Sequence, residues 1–94
     1  MAKTRQVRTL QRCRVSENDL PEELQRHRWE VGARIRRIRR ERGLSQVQLA
    51  AAIGIDHRTI SRIENGRHAT SIDLIYRLAA GLGVPSWQFF KDDE

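Results

Sequence analysis

Residues 43–66 read GLSQVQLAAAIGIDHRTISRIENG. They hold two short helices around a tight corner. Ser45-Gln46-Val47-Gln48 is a capping box: a Ser hydroxyl serves an orphan amide of the first turn and a Gln three residues on reaches back. Leu49, Ala50 and Ile53 continue that helix on one face, and Gly54 ends it. Asp56 then caps a second helix, with Ile60 and Ile63 on its inner side and Asn65-Gly66 as its stop. Only Gly54-Ile55-Asp56 joins the two, so they must cross steeply. Gly54 supplies a positive φ at low cost, Ala50 lets the helices approach, and Ile55 can plug the corner.

The flanks extend the helical pattern. Upstream, Asn18-Asp19-Leu20-Pro21-Glu22-Glu23 reads as a helix start, with a cap, a first-turn proline and acids at the positive end of the dipole. Leu24, Val31, Ile35 and Ile38 keep to one face of this helix, which ends near Arg42 with Gly43 as a left-handed cap. The pattern admits one long helix or a break near Arg26–Trp29. Downstream, Thr70 or Ser71 starts a helix carrying Leu74, Ile75, Leu78 and Leu82, stopped by Gly83. Pro85-Ser86 opens a short fifth helix with Trp87, Phe89 and Phe90. No stretch alternates at period two, so an all-α fold is expected. Residues 1–18 have no sustained period and read as a flexible basic arm, residues 19–90 as the domain, and residues 91–94 as a polar tail.

Two helices joined by so brief a corner meet the mechanical need of a helix-turn-helix, whose second helix enters the DNA major groove. From Val31 to Phe90 the chain resembles the lambda-repressor-like (Cro/C1, XRE-type) helix-turn-helix family. The resemblance rests on Ile35-x-x-Ile38-Arg39, Gly43-Leu44-Ser45-Gln46, Leu49-Ala50, Ile53-Gly54-Ile55, Ile60-Ser61-x-Ile63-Glu64-Asn65-Gly66 and Leu78-Ala79-x-x-Leu82-Gly83-Val84. It implies a compact five-helix DNA-binding domain, here with a basic N-terminal extension. It also implies a structural pair, Arg39 with Glu64, that pins the recognition helix to the scaffold. Three positions depart from the family pattern. Val47 replaces a polar residue, Thr70 stands where a loop proline is frequent, and Pro85 replaces the usual Ser cap.

The recognition helix is expected at residues 56–65, with His57, Arg58, Ser61 and Arg62 on its outward side. The resemblance places these at base edges or adjacent phosphates, and they are read as base contacts. Arg58 and Arg62 are four apart and share a face, and either can grip a guanine bidentately. Thr59 can meet a thymine methyl or a phosphate. Gln46, at the start of the preceding helix, is a candidate phosphate contact. The resemblance adds Asn65 and Arg67, with His68 beside them; Asn65 is equally a plain helix cap. Phe89 is the expected core plug. Trp87 and Phe90 are left for a dimer contact, and Trp29 either covers the core or meets another partner.

Composition is consistent with this reading. The 94 residues suffice for one small domain and carry a net charge of +6. The excess is confined to residues 1–42, at +7, against −1 for residues 43–94. Such a balance favours a polyanion, whose neutralised phosphates release counterions. The arm, with Lys3, Arg5, Arg8, Arg12 and Arg14, suits a minor groove or a phosphate track as well as it suits a free tail.

Cys13, the single cysteine, makes no internal disulfide. His27, His57 and His68 lack metal-ligand spacing. There is no Ser/His/Asp order, paired carboxylate or phosphate loop, so no enzyme, metal or cofactor is expected. No apolar run spans a membrane and no secretory signal opens the chain. The expected protein is a cytoplasmic, nucleoid-associated regulator, a repressor that binds double-stranded DNA as a homodimer. The competing readings are a DNA-binding antitoxin holding a toxin, and an adaptor that keeps the fold without DNA.

Overall fold

The computed structural model describes residues 22–91. The basic arm, Cys13, the helix start at Asp19–Pro21 and the tail from residue 92 lie outside the described residues. Within them, four α-helices and one 3-10 turn account for the regular structure, with no strand. They are α1 (Glu22–Glu41), α2 (Gln46–Ile53), α3 (His57–Glu64) and α4 (Ile72–Leu82), followed by the 3-10 turn Ser86–Phe89. None of these helices is long and apolar enough to cross a membrane.

Local chemistry sets most boundaries. The Ser45 hydroxyl accepts from the Gln48 amide at 3.0 Å while Gln48 Oε1 accepts from the Ser45 amide at 2.8 Å, so the box at the start of α2 is closed both ways. Gly54, at φ 76°, ends α2. Its amide and that of Ile55 both donate to the Ala50 carbonyl, at 2.8 and 3.0 Å, which folds the corner back on the helix. Asp56 Oδ1 accepts from the Arg58 amide at 2.9 Å and starts α3. Ser71, rather than Thr70, caps α4, accepting from the Leu74 amide at 3.1 Å. Arg77 adds a tie the sequence did not signal: its Nη2 donates 2.8 Å to the Ile53 carbonyl at the end of α2.

Two expectations are sharpened by tertiary contact. α1 runs unbroken through Arg26–Trp29. The fifth helix is not a further α-helix but a four-residue 3-10 turn. Pro85 gives it no side-chain cap, and its bonds run three residues back, Gln88 to Pro85 and Phe90 to Trp87. So short a segment holds its place by burying Phe89, not by helix propensity.

The core lies between the helices. Ile35 and Ile38 of α1, Leu49, Ala50 and Ile53 of α2, Ile60 and Ile63 of α3, and Leu78, Ala79 and Leu82 of α4 converge around Phe89. Phe89 is fully buried, while Trp87 and Phe90 remain about half exposed, at 55% and 48%. Val31, Leu44, Ile55, Leu74, Ile75 and Val84 pack around the edge. α2 touches both α3 and α4, and α1 lies across α3 and the 3-10 turn. The result is an α3 braced from behind by two helices and open on its other side.

Candidate nucleic-acid interface

α3 buries Ile60, Ile63 and Glu64 and turns His57, Arg58 and Arg62 to solvent. Its C-terminal end is fixed by charge. Arg39 Nε donates to Glu64 Oε2 at 2.6 Å and Arg39 Nη2 to Glu64 Oε1 at 3.0 Å, a bidentate fork. Both side chains are buried, with Arg39 7% and Glu64 6% exposed. A third guanidinium nitrogen, Nη1, donates 2.8 Å to the Leu44 carbonyl. The Glu64 carboxylate raises the Arg39 pKa above its ordinary value through their hydrogen bond, against the opposing effect of burial. One guanidinium thereby joins three segments: α1, the loop before α2 and the end of α3.

Gln46 joins the same network. Its Nε2 donates 3.0 Å to Glu64 Oε1, so its side chain is turned to the pair. A phosphate contact from Gln46 then falls to its remaining amide groups and to the helix start on which it sits.

Gly32 explains how α1 comes so close. A Cβ there would stand 2.8 Å from the Glu64 carbonyl oxygen and closer still to that of Ile63. Only a glycine lets the α1 backbone lie on the end of α3. Gln25 Nε2, two turns earlier on α1, also donates 2.8 Å to the Gly66 carbonyl and holds the turn after α3.

The remaining candidate residues separate into two groups. Ser61, Arg62, Asn65 and Arg67 line one open groove of about 750 Å³ with Gln25 and Trp29 of α1. Asn65 also closes α3, its side-chain amide donating 2.8 Å to the Ser61 carbonyl. His57 and Arg58 lie at the opposite end of α3, where His57 Nδ1 stands 3.6 Å from Asp56 Oδ1. The Arg58 amide holds the Asp56 carboxyl below its ordinary pKa, reinforced by the charges of Arg58, His57 and Arg62. Thr59 is half-buried between the groups. His68 is half-buried beyond α3; its Nδ1 is buried without a hydrogen-bond partner, and the residue lines an apolar pocket with Leu24, Ile75 and Phe90.

Three contributors had no individual signal in the sequence: Gln25, Gly32 and the placement of Trp29. Their spacing of four and then three residues marks one helical face, which is the trace that would have found them.

The helix-turn-helix family profile matches residues 35–86. Control protein C.MunI of a Mycoplasma species is 36% identical over 64 residues, covering 67% of this chain and 86% of that protein. The HTH-type transcriptional regulator y4dJ of Sinorhizobium fredii is 39% identical over 54 residues, covering 57% of this chain and 70% of that protein. Among solved structures, the restriction-modification controller protein C.AhdI of Aeromonas hydrophila superposes with a TM-score of 0.68 at 30% identity. That match covers 70% of this chain and 96% of the other. The matched profile, the relatives and a corner built on Gly54 beneath a clamped α3 agree, and the chain belongs to the helix-turn-helix family of the Cro/C1 (XRE) type.

Proposed function

We propose that this protein is a sequence-specific transcriptional regulator, acting as a repressor, that lays α3 in the major groove of double-stranded DNA. One observation carries the reading: α3 is braced on its inner face and fixed at one end, and it presents exposed Arg58 and Arg62 on its open side. A rigid helix with two forked donors on one face suits direct readout, in which guanine O6 and N7 accept together. His57, Arg58, Ser61 and Arg62 are assigned to bases. Gln46, Thr59, Asn65 and Arg67 are assigned to the backbone that sets register.

The regulator acts as a homodimer on a two-fold operator, with paired α3 helices about 34 Å apart. Exposed Ile72 and Tyr76, four residues apart, favour a protein contact on the outer face of α4. An antitoxin would hold a toxin with its N-terminal segment or its exposed aromatics, and a co-purifying second chain is the mark of that reading.

Selection from random duplex DNA with the purified protein, at two salt concentrations, tests the proposal. Recovery of a two-fold symmetric motif is the expected result. Retention that depends on salt alone, with no motif recovered, would overturn specific regulation and move the antitoxin or adaptor readings ahead.

A further inference from the structure

The groove beside α3 has two walls of different origin. One is Ser61, Arg62, Asn65 and Arg67, from α3 and the turn after it. The other is Gln25 and Trp29, which precede the family-matched stretch beginning at residue 35. The lining contains two arginines and no carboxylate. Trp29 is 56% exposed, an unusual outlay for so large an apolar ring.

The ring is also held in place. A Cβ at Gly66 would run into the Trp29 indole, with Nε1 at 2.9 Å, so the ring lies directly on that turn. Gln25 fixes the same turn through the Gly66 carbonyl. A supported, half-exposed indole facing two guanidinium groups across an open groove suits a chain that alternates apolar rings with anions. The sugar–phosphate backbone of DNA has that composition. Deoxyribose offers apolar carbon to the indole face, and the phosphate beside it meets Arg67.

We infer that the N-terminal turns of α1 form a second DNA-backbone wall, in which Trp29 packs on deoxyribose while Arg67 holds the adjoining phosphate and Arg62, on the same groove, stays on the bases. This rests on the DNA-binding reading above and extends it to residues upstream of the matched domain. Because the contact is with sugar, Trp29 adds affinity without adding sequence preference or ionic dependence.

The test uses the 94-residue chain carrying Trp87→Phe, which leaves Trp29 as its one remaining indole. The probe is a pooled random-sequence duplex of about two helical turns, or ~20 base pairs. Trp29 emission is expected to change and saturate at the midpoint at which the labelled duplex gains anisotropy. Trp29→Ala is expected to weaken binding about threefold to tenfold, equally across sequences and with the salt slope unchanged. Arg67→Ala is expected to lower that slope by about 1.

Duplex binding without any change in Trp29 emission overturns the inference, as does a folded Trp29→Ala protein that binds like the parent. The emission titration keeps Trp29 intact and decides the matter if the alanine variant does not fold. Failure of every form, the parent included, to bind duplex at any salt concentration sinks the DNA-binding reading itself and takes this inference with it.

Discussion

The two ends of α3 are held in opposite ways. At the C-terminal end a buried bidentate pair, a glutamine from α2, a glutamine from α1 and the bare backbone at Gly32 converge on Glu64 and Gly66. At the N-terminal end one exposed carboxylate caps the helix, and His57 and Arg58 stand in solvent. The contrast separates two tasks. Position is set where water is excluded and ionic hydrogen bonds are strong. The residues proposed to meet bases at the N-terminal end stand where side chains are free to reorient. A helix anchored at one end and on one face holds its open residues in a fixed frame without spending them on the fold.

The comparison breaks most severely at Arg39. Arg39→Ala leaves the Glu64 carboxylate buried with Gln46 as its remaining side-chain partner, and loss of one member of a buried pair costs about 3–5 kcal/mol. Thermal denaturation is expected to show a large fall in melting temperature, with DNA affinity falling alongside it. An unchanged melting temperature would mean that the pair does not hold α3.

Gly32→Ala is expected next, at about 1–3 kcal/mol, because the added methyl meets backbone oxygens that cannot swing aside. Its signature is a displaced α3, read as altered amide shifts at Ile63 and Glu64. Unperturbed shifts there would show that α1 slides away without cost to the clamp.

Arg62→Ala sharpens the comparison from the open side. On the proposed reading it costs about 1–3 kcal/mol on a selected site, relaxes specificity at one position and leaves the melting temperature in place. Equal loss on selected and random duplex would remove Arg62 from base reading.

The smallest effect concerns the N-terminal cap. The Asp56 carboxyl has a folded pKa below its ordinary value, chiefly through the Arg58 amide. Its contribution to stability is therefore full above the unfolded value of about 3.9 and is lost as pH falls through the folded one. Asp56→Asn keeps a good cap that does not titrate. The melting-temperature advantage of the wild type over this variant is expected at neutral pH and should shrink below about pH 4. A constant difference across that range would separate the cap from the charge.

Much of the fold was legible because its signals are local. Ser45 and Gln48 cap their own helix, Asp56 and Gly54 build their own corner, and Ile60 and Ile63 declare an inner face by spacing alone. The outward residues of α3 follow from the same periodicity. The fifth element was less legible. Phe89 was expected as the core plug and is fully buried, but the form of the segment was not readable: so short a stretch takes its 3-10 shape from where Phe89 must go.

Over the described residues the sequence by itself determined an all-helical fold with a steep corner at Gly54–Asp56 and an exposed basic face on the second helix of the pair, since caps, turn residues and a 3.6-residue period act within a few residues. Tertiary structure alone decided that α1 runs unbroken to lie on the end of α3. It also turned the Gln46 side chain toward Glu64 and seated Trp29 on Gly66 beside Arg62 and Arg67. Those outcomes depend on the angle and depth at which two helices cross. That geometry is set by the packing of residues far apart in sequence, and no local pattern encodes it.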